Sequence, residues 1–174
     1  MAVPSAKILA LADGHCAWIK IVGRADFTYG PDLKALLTGL AGKGYNHFII
    51  DLSECALLDS TLLGILAGFG LKAAQTGTPG QRNVELLNPN SRIADLLENL
   101  GALDLFKVTN STPATPENAR AQMSAPVNPT REQITRTCLE AHQSLMAMNP
   151  DNVARFKDVA RFLAEDLKNL EKRP

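Results

Sequence analysis

The sequence predicts an α/β domain, a mixed sheet of four to five strands with three helices, followed by a C-terminal two-helix extension. Two observations carry this. Up to Val108, short runs rich in Val, Ile and Phe alternate with leucine repeats at helical spacing, separated by turn residues. From Pro129 onward only helical spacing remains, and between the two lies a stretch beginning Thr-Asn-Ser-Thr-Pro-Ala-Thr-Pro. Strands joined through single helices need right-handed crossovers, so the helices must cover a largely parallel or mixed sheet.

Lys7 to Leu11 and Ala17 to Val22 are strand-like runs around an Asp13-Gly14 turn signal, which predicts an opening hairpin. Gly30-Pro31-Asp32 starts a helix, with Pro at its first position and an acid in its first turn, and Leu33, Leu36, Leu37 and Leu40 follow on one face. His47 to Leu52 is a continuous apolar run of the kind a buried strand needs. Asp59 opens a second helix, Leu62 to Gln75, whose leucines and small residues suit tight packing on a sheet. Asn83 to Leu87 is a fourth strand, Ser91 to Leu100 a third helix ended by Gly101, and Leu105 to Val108 a last strand. The order is ββαβαβαβ.

Residues 109–128 carry too little apolar surface to offset the ordering cost of their backbone and read as a linker between a domain at 1–108 and a helical hairpin at 129–174. In the hairpin, Thr130 and Gln133 match a capping box. Ile134, Cys138, Ala141, Leu145 and Met148 share one face of its first helix, and Asn149-Pro150-Asp151 starts the second. There Val153, Phe156, Ala160, Leu163, Leu167 and Leu170 form a narrow seam, and Glu132/Arg136 and Asp151/Arg155 are i,i+4 pairs. A hairpin with one thin stripe per helix must lie on the α/β domain or pair with a second chain, and the expectation is a homodimer through these helices.

Eighteen Lys and Arg balance eighteen Asp and Glu. The two structured parts are separately near neutral, with 9 basic and 10 acidic residues up to Val108 and 8 and 7 from Pro129 onward. No basic field is available for nucleic acid or an anionic membrane. Three cysteines without CxxC spacing, Cys16, Cys55 and Cys138, and no apolar run of about 18 residues fit a soluble, reduced, cytoplasmic setting.

Few residues stand out chemically. His15, His47 and His142 lack the i,i+4 or clustered partners of a metal site and read as structural or exposed. Cys55 and Cys138 read as inert buried thiols. Gly39-Leu-Ala-Gly42-Lys-Gly44 follows a helix instead of preceding one, so it is a helix end and not a phosphate loop. The exception is Asp59-Ser60-Thr61, an acid and two hydroxyls at a helix start just after a strand. Any one of them serves as a cap, but three together exceed what capping needs, and a helix N-terminus also receives a phosphoryl group well.

Around these residues the chain resembles the STAS family, the anti-sigma-factor antagonists and their relatives. That family's pattern is an aliphatic strand ending in Asp-Leu-Ser, a short loop, then Asp-Ser-(Ser/Thr)-Gly-Leu-Gly opening a helix. Here it reads Asp51-Leu52-Ser53 and Asp59-Ser60-Thr61-Leu62-Leu63-Gly64. The resemblance runs from about residue 5 to 108, through the closing Leu97-Glu-Asn-Leu-Gly-Ala-Leu-Asp-Leu-Phe106, and covers neither linker nor hairpin. It implies a STAS-like sheet and a non-enzymatic partner switch. Ser60, with Thr61 as its neighbour, is the implied phosphorylation site, and Asp51, Ser53, Asp59, Ser60 and Thr61 form the implied partner surface. The implied partners are an anti-sigma-type serine kinase using ATP and a PP2C-like phosphatase, with no cofactor held by the chain itself. One departure is that the family's Gly after the hydroxyls is Leu62, whose bulk is expected to narrow a kinase's approach.

Two further readings stand beside this one. A STAS-like domain also fits a scaffolding or sensing role, with the hairpin as the oligomerisation device. An enzyme reading compares Asp51 with a receiver aspartate, with Asp59 helping to hold Mg²⁺. It wants an acidic pair where only Asp13 stands and a Lys after the last strand where Lys107 lies within it, and Ser60 has no histidine close in sequence.

Overall fold

The computed structural model describes residues 6–77, 83–111, 120–123 and 128–173. One seven-stranded mixed sheet organises the chain. Strands β1 (Lys7–Asp13) and β2 (Cys16–Ala25) form the expected antiparallel hairpin, in register from Lys7/Val22 to Asp13/Cys16. Gly14 supplies the positive φ of its turn. Helix α1 (Gly30–Gly42) leads to β3 (His47–Asp51), parallel to β2, and a short loop to β4 (Cys55–Leu58). Then follow α2 (Ser60–Thr76), β5 (Val84–Leu87), α3 (Ser91–Asn99), β6 (Lys107–Thr109) and β7 (Arg120–Met123). The strand order is β6-β5-β3-β2-β1-β7, with β4 paired to the far end of β2.

The mixed α/β architecture is as the sequence predicts, and the differences lie in the shortest elements. Cys55–Leu58, within the segment read as a loop, pairs with β2 beyond a bulge between Gly23 and Arg24. There Gly23 takes φ 85° and donates its amide to the Glu54 carbonyl. Leu103–Leu105 forms a 3-10 turn, so the strand expected from Leu105 begins instead at Lys107. The segment expected to be a linker contains β7, antiparallel to β1; residues 112–119 and 124–127 of it lie outside the described residues.

The core lies between the sheet and its helices. Ile19, Ile21, Phe48, Ile50 and Leu86 from the strands meet Leu33 and Leu37 of α1, Leu62, Leu63 and Leu66 of α2, and Ile93 and Leu97 of α3. Each of these is at most 2% exposed. At about 25 cal/mol per Å² of apolar surface, such side chains are the main source of stability.

The extension consists of α4 (Arg131–Met148) and α5 (Asp151–Glu171), and it folds back on its own domain. The Thr130/Gln133 capping box is present in both directions. Helix α4 lies against α1 and α2 with Thr137, Cys138, Ala141, His142 and Leu145 buried. Its Leu139 faces Ala160, Leu163 and Leu167 of α5. Of the α5 seam, Ala160, Leu163 and Leu167 are spent within the hairpin and Phe156 joins the domain core, while Val153, expected in it, is 42% exposed. Arg136 pairs with Glu132 as expected and also with Glu171; in α5, Asp158 pairs with Arg161, and no Asp151/Arg155 ion pair occurs among the described residues. No helix of the described residues is long and apolar enough to cross a membrane.

Candidate functional site

The site is built on the first turn of α2. Asp59 holds extended backbone, and its carboxylate accepts from the Leu62 amide at 3.0 Å, which makes it the N-cap. Burial pushes its carboxyl above the ordinary value; amide hydrogen bonds from Leu62 and Phe27 oppose this, Asp26 adds to it, and His142 lowers it. With Asp59 taking the capping role, Ser60 and Thr61 are left as side chains of the first helical turn, pointing elsewhere.

Both point at α4. The Ser60 hydroxyl lies 3.3 Å from Nε2 of His142. Nδ1 of the same ring is 2.7 Å from the Cys138 carbonyl, which can only accept, so Nδ1 donates. In the neutral ring Nε2 is then the acceptor, and Ser60 donates to it. His142 is 6% exposed, and its ring stands edge-on to Phe156 of α5 at 5.0 Å between centroids. Thr61, 4% exposed, donates to the Cys138 sulfur at 3.8 Å. Burial raises the Cys138 thiol, and it pushes Cys55 in β4 up to about 11, which leaves both in the inert thiol form.

The contact between the two helices is close. A β-carbon built on Gly64 would lie 2.5 Å from the Ala141 carbonyl oxygen and 2.9 Å from its β-carbon; one on Gly68 would lie 2.9 Å from the Ser144 hydroxyl. Glycines one helical turn apart thus let α4 approach the α2 backbone. Lys34 of α1 pairs with Glu140 on the same side of α4. At the hairpin's turn, Asn152, 1% exposed, donates to the carbonyls of Leu100 and Leu145 at 2.9 Å each.

Asp51 and Ser53 form a separate unit at the end of β3. The Asp51 carboxylate, 2% exposed, accepts from the Ser53 amide at 3.0 Å and hydroxyl at 2.6 Å. This is an Asx turn that redirects the chain into β4. No hydrogen bond among the described residues joins it to Asp59, Ser60 or Thr61. Nor is there, among the described residues, a group of three or more His, Cys, Asp and Glu placed to hold a metal ion.

One expectation changes here. Leu62 is fully buried in the domain core, so its bulk does not stand over Ser60; the obstruction is α4. The residue missed by sequence reasoning is His142, whose partner is 82 positions away. Its only sequence signal is its place four residues after Cys138, beside the apolar face of α4. The pair has the first two members of a nucleophile and base arrangement. Its orienting group is a main-chain carbonyl, and α4 lies over the hydroxyl. The groove of about 1050 Å³ between α1, α2 and α4 is lined by residues that include Gly64, Gly68, Lys72 and Ser144, and by neither Ser60 nor His142.

Comparison with known proteins agrees with the fold. Anti-sigma-B factor antagonists of Staphylococcus aureus, from strains COL and MW2, are each 30% identical over 94 residues, covering 54% of this chain and 83% of theirs. The STAS domain matches residues 7–114, from β1 through β6, more than half of the chain. The strand, loop and capped helix that carry Asp51, Asp59 and Ser60 fall inside that match, and the chain belongs to the STAS domain family.

Proposed function

We propose that the protein is a non-enzymatic, anti-sigma-factor-antagonist-like partner switch, governed by phosphorylation of Ser60. The observation that carries this is the division of labour at the start of α2. Asp59 alone caps the helix, and the half-buried Ser60 hydroxyl is left free of capping and faces His142 of α4. The similarity to antagonists named for anti-sigma-B factor supports the same reading. Thr61 is a poorer acceptor because it is buried and turned toward Cys138.

A phosphoserine adds about −1.5 to −2 charges at neutral pH. Free amides of the first turn tolerate that charge within the domain, whereas a protein surface shaped to a neutral hydroxyl, with Asp59 adjacent, does not. Asp59 and Ser60 would thus form the centre of the partner surface. Asp51 and Ser53 contribute by shaping the preceding turn. The implied partners are a serine kinase of the anti-sigma type and a PP2C-like phosphatase.

The test is phosphopeptide mapping of the chain purified from its own cell, with Ser60→Ala and Ser60→Asp used as baits for the partner. Phosphate on Ser60, and a partner held by the alanine form but lost by the aspartate form, is the expected result. Phosphate incorporated as readily into Ser60→Ala would overturn the assignment.

A scaffolding role keeps one specific observation in its favour. Phe162 is 60% and Val159 43% exposed on the outer side of α5. Leu163 and Leu167 are packed within the hairpin, so charging them would test the hairpin itself. Phe162→Glu with Val159→Glu is the informative variant, and a drop in light-scattering mass would support association through this face.

A further inference from the structure

We infer that the α4–α5 hairpin is an intramolecular competitor for the Ser60 surface, and that a kinase or partner reaches Ser60 only when the hairpin leaves. The inference deepens the phosphoswitch reading and rests on it for the identity of the modified residue; the covering itself is independent of it. His142 closes over the Ser60 hydroxyl at 3.3 Å, Cys138 over Thr61 at 3.8 Å, and Ala141 over Gly64 at backbone contact. A phosphoryl group on the half-buried Ser60 oxygen competes for the space on which the His142 ring of α4 closes. A protein partner recognising the first turn of α2 must displace the same helix.

The remaining contacts suit a cover that leaves as a unit. The hairpin has its own apolar seam of Leu139, Ala160, Leu163 and Leu167, and its own ion pairs Arg131/Asp166 and Arg136/Glu171, all of which survive undocking. What joins it to the domain is the face of α4 on α2 and α1: the Gly64/Ala141 and Gly68/Ser144 contacts, Ala141, Leu145 and Phe156 packed into the domain core, Lys34/Glu140, the Ser60/His142 bond and the Asn152 hydrogen bond to Leu100. Most of the core comes from the strands and helices α1 to α3, and the hairpin adds Ala141, Leu145 and Phe156 to it. The same geometry gives the reverse coupling. A phosphate on Ser60 cannot share the space of the His142 ring, so modification holds the hairpin off.

Cys138 reports undocking in the unsubstituted chain, because its sulfur is sealed against Thr61, and Cys55 in β4 is an internal control for the domain. Alkylation with N-ethylmaleimide, mapped by mass spectrometry, is expected to label Cys138 at least about tenfold faster than Cys55, as a separately opening unit would. Gly64→Ala and Ala141→Leu, wedges placed on opposite sides of the contact, are expected to raise the Cys138 rate by a further factor of about ten and leave Cys55 unchanged. Ser60→Glu is expected to act in the same direction.

Equal rates for Cys138 and Cys55 in the unsubstituted chain and in every variant would overturn the inference, since the hairpin would then open only with the whole fold. Should the wedge variants fail to fold, hydrogen exchange of the unsubstituted chain decides: α4 amides must exchange ahead of those of β2 and β3, and coincident exchange overturns it. The second arm follows phosphate on Ser60 in an extract of the native cell. Faster incorporation in Ala141→Leu is expected. No acceleration despite a released Cys138 overturns the competitor role alone, whereas no phosphate on Ser60 in any form overturns the phosphoswitch and this inference together.

Discussion

Ser60 and His142 are 82 residues apart in sequence and 3.3 Å apart in the fold, and their contact ties the family's helix start to a helix outside the family match. The bond is one of two made by a buried ring, the other going to the Cys138 carbonyl. Removing the ring therefore does more than removing the hydroxyl. His142→Ala is expected to cost about 2 to 3 kcal/mol, through the cavity beside Phe156 and an unpaired hydroxyl. Ser60→Ala is expected to cost less than about 1 kcal/mol. Urea unfolding of both single variants and the double variant should give a coupling of about 0.5 to 1 kcal/mol. Strict additivity would mean that the contact contributes nothing in solution.

Two glycines in neighbouring helices should respond oppositely to the same substitution. On propensity alone Gly→Ala in a helix stabilises by about 1 kcal/mol. Gly39 in α1 has no atom within 4 Å of a built β-carbon, so Gly39→Ala should follow that rule and raise the thermal midpoint. At Gly64 the new methyl group meets the Ala141 main chain, and overpacking of about 1 to 3 kcal/mol outweighs the propensity gain. A thermal melt in which both variants gain stability would show that α4 does not press on α2 at this point.

Much of the domain is legible in the sequence because its apolar positions are numerous and regularly spaced. Leu33, Leu37 and Leu40 are buried as their spacing predicts, and Phe48 and Ile50 lie at the sheet centre. Two of the short strands are not legible: Cys55–Leu58 is set by pairing with β2 and Arg120–Met123 by pairing with β1, and that pairing is not written in either segment. At the site, Asp59, Ser60 and Thr61 were visible as a cap with surplus hydroxyls, while the surface they face was not. The residual signal was Gly64 and Gly68, one turn apart. Their small size suited packing on a sheet, but the leucines of α2 take the sheet and the glycines take α4. The thin stripe of α4 underestimates its burial because the helix is covered from two directions, by α2 and by α5.

Asp59 gives the fold a pH dependence whose sign follows from its raised pKa. Burial is the largest cause, and it disfavours the charged form in the folded state. As pH rises from the ordinary carboxylate range through the folded-state value, the unfolded chain loses its proton first, so stability falls across that window. Asp59→Asn keeps an oxygen to accept from Leu62 and removes the charge. Its stability relative to the unsubstituted chain should therefore improve steadily from acid to neutral pH. Asp59→Ala loses the cap and should be destabilised by about 1 kcal/mol even in acid. Thermal midpoints of the three forms across that range check the sign, and parallel curves for the unsubstituted and asparagine forms would contradict it.

Asn152 separates a local helix rule from a tertiary one. It stands in the first turn of α5, where an added negative charge ordinarily stabilises by about 0.3 to 1 kcal/mol. Taken alone, that rule makes Asn152→Asp neutral or beneficial. The side chain, however, is 1% exposed, and its amide nitrogen donates to two main-chain carbonyls, Leu100 at the end of α3 and Leu145 in α4. Aspartate offers no donor there and places carboxylate oxygen against two acceptors. The loss of two buried hydrogen bonds, with the Leu145 carbonyl keeping the Asn149 amide and the Leu100 carbonyl losing its side-chain donor, is expected to cost about 2 to 4 kcal/mol and to exceed any gain from the helix dipole. Asn152→Ala should cost less than Asn152→Asp, because it removes the donor without introducing a repelling acceptor. Denaturant unfolding of the two variants orders the effects. An aspartate form within about 0.5 kcal/mol of the unsubstituted chain would mean that this turn is not fastened to α3 and that local helix electrostatics decides the position.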